Sequence, residues 1–365
     1  MATNSFFPSR IITIYMAKMF LIRTFAVLFA LVLVLQTLDL LGASGDVLAY
    51  EGNDGGDILT YISLRAPQII SLFLPFSVLL GTVVTLATLN QNSEVVSMKG
   101  AGLSAHQVLA PLIVASLLVA AASFAFNDRI VARATTTLTR WQKAEYGPIP
   151  KDAKMQTNVW VREGSLLIHA DMVTGRGTNA RLSDVTVYNR SGGALIAITK
   201  SSSAIPDNGA LQLLRAQVFD VERGSQTDAG TVRVGNNLQP EQFTLASIDA
   251  AGMSFGELKA AITDLKSAGR PTGALEAGLW HKISGPLSSI LMPLLGAVAA
   301  FGIARSGRLF FRAVIGMGLG FAYFVADNFG LAMGNLGAYP PLLAAWGPFF
   351  LFLLIGETVL IQTEE

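Results

Sequence analysis

Residues Asn90 to Val108 read NQNSEVVSMKGAGLSAHQV and lie between two long apolar runs. The stretch carries one acid, one lysine, one histidine and two glycines. Ser93–Lys99 is typical of a short helix with a polar face. Gly100 and Gly102 are placed to end it, because glycine readily adopts the backbone conformation that follows many helices. A connecting loop would need only turn residues, so we predict that this short helix, at about residues 91–100, contacts a partner.

The flanking sequence is typical of a membrane protein. Of 365 residues, 52% are hydrophobic and only 14% are charged, whereas soluble domains carry about 25% charged residues. A membrane-spanning helix needs about 20 predominantly apolar residues. Six stretches meet this requirement and predict six transmembrane helices, at approximately Phe20–Leu41, Ile69–Leu89, Val108–Phe126, Ile283–Ala304, Ala313–Met333 and Leu342–Ile361.

The composition excludes several functional classes. A net charge of +1 provides no basic surface for nucleic acid. The chain has no cysteine, so it has neither disulfides nor thiolate chemistry, and its three scattered histidines lack the spacing of zinc ligands. The sequence also lacks the glycine-rich loop GxxxxGK[ST] that binds nucleotide phosphates. We therefore expect no catalytic residues, no metal and no cofactor, and an energy source on a separate subunit.

Basic residues near the helix ends predict the orientation in the membrane, because cytoplasmic loops carry an excess of Lys and Arg. Such residues lie before or at the start of the first apolar stretch and between the fourth and the fifth, at Arg10, Lys18, Arg23, Arg305, Arg308 and Arg312. The loop after the first stretch has only Arg65 against four acids. We predict that both termini and the 90–107 segment are cytoplasmic, and that the long segment after the third helix faces outward.

The sequence pattern of that outward segment is typical of a β-domain. Short β-rich runs alternate with turn signals, at Val159–Val161, Ser165–Ala170, Val185–Tyr188, Ala194–Ile198 and Leu211–Val221. Several short strands at this spacing predict a sandwich or jelly roll. Helical connectors are expected on either side, at Asp128–Tyr146 and Phe255–Ser267. The predicted domains are helices one to three at 1–126, a jelly roll with its connectors at 127–279, and helices four to six at 280–365.

Together these features resemble the LptF/LptG permease family. Ser93–Ser104 is similar to the cytoplasmic coupling helix that follows the second helix in that family. The C-terminal part is more similar to LptG members than to LptF members, at Trp280–Ile283, Pro286–Ser288, Arg308, Arg312, Gly316–Gly330 and Tyr339–Pro341. The order and spacing of these segments extend the resemblance over nearly the whole chain.

The resemblance implies a subunit of an ATP-binding-cassette exporter in the bacterial inner membrane. Such a permease extracts lipopolysaccharide from the outer leaflet and passes it to a periplasmic bridge toward the outer membrane. The implied partners are a dimer of the ATPase LptB, the homologous permease LptF, LptC with the periplasmic bridge, and lipopolysaccharide itself. A permease for another amphipathic lipid or lipoprotein, or a membrane scaffold without transport, is the alternative.

The resemblance also assigns roles to residues of the short helix. Glu94 matches the family's acidic coupling residue, which pairs with a basic residue in the groove of the ATPase. Val95, Val96 and Met98 would give the helix an apolar face with which to dock, and Lys99 completes the predicted coupling site. The alternative for Glu94 is an acid that is simply solvated in a loop.

The family further implies a substrate cavity gated by the first and fifth helices. Its walls would here include Gln36, Asp39, Phe321, Phe324 and Asp327. Relatives carry lysines in the outer half of the first helix, where this chain has Gln36, Gly42 and Ala43. Contact with lipid A phosphates would then shift to LptF, to Arg65 or to the β-domain. For Asp39 and Asp327, structural pairing and cavity lining are equal alternatives.

The β-domain is expected to shelter acyl chains in a groove lined by alternate strand residues, since successive side chains of a strand point to opposite faces. The candidates are Leu166, Ile168, Ile196 and Ile198. Leu166 and Ile168 share one face of their strand, and Leu167 and His169 share the other. That Leu166 and Ile168 are ordinary domain core is an equal alternative.

Overall fold

The computed structural model describes residues 8–148, 156–175, 179–191, 194–207, 209–236, 238, 243, 250–267, 271–298 and 309–362. The chain divides into two compact units. The first is helical and contains Met1–Thr139 with Ala250–Glu365, and the second, Arg140–Asp249, contains a β-sheet. The predicted fold class, membrane helices with an inserted all-β domain, is confirmed.

Nine α-helices lie within the described residues. They are α1 (Arg10–Ala49), α2 (Gly55–Gln91), α3 (Glu94–Gly100), α4 (Ala105–Phe126), α5 (Ala132–Lys143), α6 (Phe255–Ser267), α7 (Gly273–Ala297), α8 (Leu309–Asn335) and α9 (Pro341–Gln362). A π-helical turn at Asn127–Val131 joins α4 to α5 without a break. The helix predicted at Phe255–Ser267 has the bounds of α6.

Five spans in the described part of the chain are long and apolar enough to cross a membrane: α1, α2, the continuous α4–α5 helix, the Val314–Asn335 part of α8, and α9. They correspond to the first, second, third, fifth and sixth predicted segments. The predicted fourth segment, Ile283–Ala304, begins within α7, and its last residues lie outside the described range. The described residues therefore support five spans, and the sixth stays a prediction.

The third membrane helix is tied to its neighbours where it reaches the β-insertion. The Ser71 hydroxyl of α2 donates a 2.5 Å hydrogen bond to the Asn127 side chain, in the π-helical turn. The next residue, Asp128, accepts a 2.5 Å hydrogen bond from the backbone N–H of Phe255, at the start of α6. These contacts hold α2, α4 and α6 together at one end of the helical unit.

The short helix predicted after the second apolar run is α3. It begins at Glu94 instead of about residue 91, because Gln91 still belongs to α2. At its end the N–H of Leu103 donates to the Met98 carbonyl over 3.1 Å, and the N–H of Gly102 donates to the Lys99 carbonyl over 2.9 Å. Gly102 has φ +88°, which favours glycine, so this residue ends the helix as expected.

The β-insertion consists of one antiparallel sheet in which each strand pairs with the next along the chain. The strands are β1 (Gln156–Glu163), β2 (Leu166–Thr174), β3 (Arg181–Ser191), β4 (Ala194–Asp207), β5 (Ala210–Asp220) and β6 (Ser225–Val234). The sequence predicted the first five but missed β6, whose first half is polar and exposed. The described strands form a meander, and no Greek-key crossover of a jelly roll occurs among them.

Close packing of α1 on α2 depends on Gly81. A Cβ atom added to Gly81 would lie 2.9 Å from the Cα of Thr24, a residue that is fully buried in α1. Real side chains do not approach a backbone atom so closely, so α1 and α2 meet here only because residue 81 has no side chain. Met16, Phe20 and Leu28 of α1 belong to the same buried cluster as residues of α2 on either side of Gly81.

We therefore expect Gly81→Ala to force α1 away from α2 and to lower the stability of the purified protein by about 1–3 kcal/mol. Thermal unfolding in detergent measures this. Gly42→Ala is the matched control, because Gly42 also lies in a helix but has open space around it. The Gly42→Ala control gains the higher helix propensity of alanine, so its free energy of unfolding should be unchanged or slightly higher. Equal melting temperatures for Gly81→Ala and Gly42→Ala would show that the fold does not depend on the close approach of α1 to α2 at Gly81.

Candidate functional site

The apolar residues of α3 are divided between a buried face and an exposed face. Val95 is only 4% exposed and belongs to the buried cluster of the helical unit, together with Met16 and Phe20 of α1. Met98 and Leu103 pack against the same cluster. Val96, in contrast, is 63% exposed. Of the apolar face predicted to dock on an ATPase, Val95 and Met98 thus anchor α3 to its own chain, and Val96 faces outward with Ser97 and Lys99.

The Glu94 carboxylate lies at the start of α3 and is held by two side chains. The hydroxyl of Tyr15, in α1, donates to Oε1 over 3.3 Å. The Asn92 amide donates to the same oxygen over 3.4 Å. Glu94 is half-buried, so it differs from the freely solvated loop acid that was the alternative in the sequence.

Asp39 is paired within the chain. The Arg65 guanidinium, from α2, contacts its Oδ1 through Nη2 at 2.9 Å and through Nε at 3.0 Å. The Tyr61 hydroxyl donates to its Oδ2 over 2.7 Å, and Arg65 also donates to Gln68 over 2.6 Å. One helical turn before Asp39, the Gln36 amide is enclosed and has no hydrogen-bond partner among the described residues. Of the two predicted wall positions on α1, one is therefore an ion-pair partner and the other an enclosed amide.

Asp327 is also paired within the chain. Its Oδ2 lies 2.9 Å from Nε2 of His281, in α7. Its Oδ1 and the Tyr323 hydroxyl, one turn away, are inaccessible and have no hydrogen-bond partner in the part of the chain that the structure describes. Phe324 packs its ring 5.6 Å from that of Phe76 in α2, whereas Phe321 is 61% exposed. Of the three predicted wall residues of α8, Asp327 thus contacts α7, Phe324 contacts α2, and Phe321 is exposed.

The four predicted groove residues of the β-domain do not share a face. Ile168 pairs with Val187, which pairs with Thr199. Ile198 belongs to the other series, Leu167–Tyr188–Ile198–Phe219. Because directly opposed residues of an antiparallel sheet project from one face, Leu166 and Ile168 point one way and Ile196 and Ile198 the other. Ile168 is fully buried in the domain core, whereas Ile196 is 38% exposed.

The outer face of the sheet carries an aromatic surface that the sequence analysis missed. The ring of Trp160 lies 4.3 Å from that of His169 and 6.1 Å from that of Tyr188. Trp160 and Phe219 are both partly exposed. The available signal was the alternation Val159-Trp160-Val161, which places Trp160 opposite the two buried valines. Within the described ranges no group of three or more His, Asp or Glu side chains could hold a metal ion.

The His281–Asp327 pair supports a stability prediction. His281→Leu would leave both oxygens of an enclosed carboxylate without a partner, which should cost at least about 1–3 kcal/mol. The double variant His281→Leu/Asp327→Leu should recover most of the loss, since replacing both partners removes the unpaired charge. His106→Leu is the comparison, because its pair with Glu357 is longer, at 3.2 Å, and more exposed. Thermal unfolding of the three variants checks this, and a double variant no more stable than His281→Leu would contradict it.

Comparison with known proteins places this architecture in a family. The family model described as "Lipopolysaccharide export system permease LptF/LptG" matches residues 14–362. The relative named "Lipopolysaccharide export system permease protein LptG" in Escherichia coli (strain K12) is 26% identical over 314 residues, covering 83% of this chain and 84% of the relative. Its namesake in Haemophilus influenzae (strain ATCC 51907 / DSM 11121 / KW20 / Rd) is 22% identical over 313 residues, covering 81% of this chain and 83% of the relative. The match includes both the membrane helices and the inserted β-sheet, and the chain therefore belongs to the LptF/LptG family of lipopolysaccharide export permeases.

Proposed function

We propose that the chain is the LptG-type membrane subunit of an ATP-driven exporter that extracts lipopolysaccharide from the outer leaflet of the inner membrane. It passes the lipid to a periplasmic bridge toward the outer membrane. The observation that carries the proposal is the family match over residues 14–362, which covers the membrane helices, α3 and the β-insertion together. The named relatives are lipopolysaccharide export permeases, and this supports the same substrate here.

In this proposal the chain is a multi-pass inner-membrane protein with both termini and α3 in the cytoplasm. The contacts within the helical unit support that arrangement. Tyr15 near the start of α1 reaches Glu94 of α3, and His106 near the start of α4 lies 3.2 Å from Glu357 near the end of α9. These four segments therefore lie at one end of the helical unit. The β-domain, which follows α5 and precedes α6, then faces the periplasm.

Energy would come from a separate ATPase, a dimer of LptB, bound at α3. The division of α3 into two faces suits this role. Val96, Ser97 and Lys99 are exposed on the outer face of α3, while Val95 and Met98 join the helix to the membrane bundle. A displacement of α3 by the ATPase would therefore be passed to the membrane helices through packed side chains. Glu94 lies beside the exposed face and would pair with a basic residue of the ATPase.

The other half of the transporter would be supplied by LptF, and LptC would connect the β-domain to the bridge. A cavity between the two permeases needs apolar side chains that remain exposed when this chain is alone. Such side chains line α1 and α8, at Phe25, Phe29, Leu33, Val325 and Phe329, together with Phe321. Asp39 engages Nε and Nη2 of Arg65 and offsets its charge, which weakens the attraction of Arg65 for a lipid A phosphate. We propose that LptF provides the first phosphate contact.

The proposed coupling role of α3 is tested with Glu94→Ala in the assembled transporter. Truncating one partner of a desolvated, hydrogen-bonded charge pair costs about 2–5 kcal/mol, so the affinity for the ATPase subunit should fall by at least about 30-fold. Co-purification with the ATPase and release of lipopolysaccharide from proteoliposomes measure the effect.

The matched control is Glu51→Ala, since Glu51 is an exposed acid in the turn after α1, at the end of the helical unit opposite to α3. Folding and membrane insertion should be unchanged in both variants. Normal ATPase binding together with normal lipid release in Glu94→Ala would remove Glu94 from the mechanism.

A further inference from the structure

The first turns of α1 precede its predicted membrane-spanning stretch and approach α3. The helix has 40 residues, and at 1.5 Å per residue it is about 60 Å long, twice the thickness of the hydrocarbon core of a bilayer. The apolar stretch begins near Phe20, so residues 10–19 form an extension at the end where α3 lies. Tyr15 is in this extension, and its hydroxyl is the group that reaches Glu94 over a sequence separation of 79 residues.

Packing fixes this extension against the helical bundle to which α3 also belongs. Met16 and Phe20 have no exposed surface, and Ile12 and Met19 pack against the same buried cluster, which also contains Val95. These residues recur every three or four positions and therefore lie on one side of α1. Tyr15 lies next to that side and is 47% exposed. The backbone that carries Tyr15 is thus held by a buried cluster, and the hydrogen bond to Glu94 joins it to α3.

The two hydrogen bonds described for Glu94 are accepted by the same carboxylate oxygen. Both donors, Tyr15 and Asn92, bind Oε1. With Oε1 engaged in this way, the carboxylate is oriented and its Oε2 is directed away from Tyr15 and Asn92. A carboxylate that is already oriented loses less conformational freedom when a partner binds, which favours binding.

We propose that Tyr15 is a positioning residue for coupling: its hydroxyl orients Glu94 for the ATPase and links α3 directly to α1. The inference rests on the proposed function, because it assigns a role to a neighbour of the proposed coupling acid. Gln36 and Asp39 lie farther along the same helix, so this hydrogen bond gives a displacement of α3 a direct connection to α1 beside its packing on the other helices. Tyr15 itself makes no contact with substrate in this proposal.

The test is Tyr15→Phe in the complete transporter, which removes the hydroxyl and keeps the ring. We expect thermal stability to be unchanged, the affinity for the ATPase subunit to fall by about two- to tenfold, and the amount of lipopolysaccharide released per ATP hydrolysed to fall with it, since this range corresponds to one hydrogen bond. Tyr50→Phe is the matched control, because Tyr50 is also a partly exposed tyrosine but follows the opposite end of α1. Tyr50→Phe should leave the ratio of lipopolysaccharide released to ATP hydrolysed unchanged.

A double variant separates a role through Glu94 from a general structural role. If Tyr15 acts by orienting Glu94, then Tyr15→Phe/Glu94→Ala should be no worse than Glu94→Ala alone, because alanine removes the oxygen that accepts the Tyr15 hydrogen bond and effects within one hydrogen-bonded unit are not additive. Additive losses would overturn the proposal. A normal ratio in Tyr15→Phe beside a reduced ratio in Glu94→Ala would also overturn it, while leaving the proposed function intact. Normal ratios in both single variants would instead contradict the coupling role of Glu94.

Discussion

The structure depends on a constraint that the bilayer imposes: a charged side chain among apolar helices must find its partner within the protein, because no water is available to solvate it. Among the described residues, Asp39–Arg65 and His281–Asp327 meet this requirement, and His106–Glu357 forms a third, more exposed pair near the end of the helical unit. Their members are 26, 46 and 251 residues apart in the sequence. Each pair joins two different helices, so together they connect α1 to α2, α7 to α8, and α4 to α9.

This pairing changes how the two outer acids are interpreted. Asp39 and Asp327 were each predicted either to line a substrate cavity or to form a structural pair. Both carboxylates are bonded to side chains of a neighbouring helix, and both are largely enclosed. The surface that the proposed transporter would offer to a second permease and to lipid is therefore mostly apolar, and Phe321 on α8 is its most exposed predicted residue. The short helix α3 has an exposed face, available in the proposal for the ATPase, and a buried face that packs against the helical unit.

The sequence predicted those features that depend on local pattern. Runs of apolar residues located the membrane helices, and a glycine after Lys99 marked the end of α3. The sequence could not assign partners across helices, because periodicity does not reveal which helix will lie beside which. For the same reason it treated Val95 and Val96 as one docking face, whereas their directions on a short helix differ by about 100°. In the β-domain it placed Ile168 and Ile198 together, because the face on which each residue lies depends on the register between strands, which pattern alone does not fix.

The central claim, that ATP drives lipopolysaccharide through this chain and along its β-domain, is tested most directly at those two residues. A photo-crosslinking amino acid replaces Ile168 in one variant and Ile198 in another, and the transporter is reconstituted with lipopolysaccharide. Because the two side chains project from opposite faces of the sheet, we expect a lipopolysaccharide adduct at one of them only, formed with ATP and not with a non-hydrolysable analogue. Release of lipopolysaccharide by both variants without an adduct at either residue would contradict the claim that the lipid passes along the β-domain.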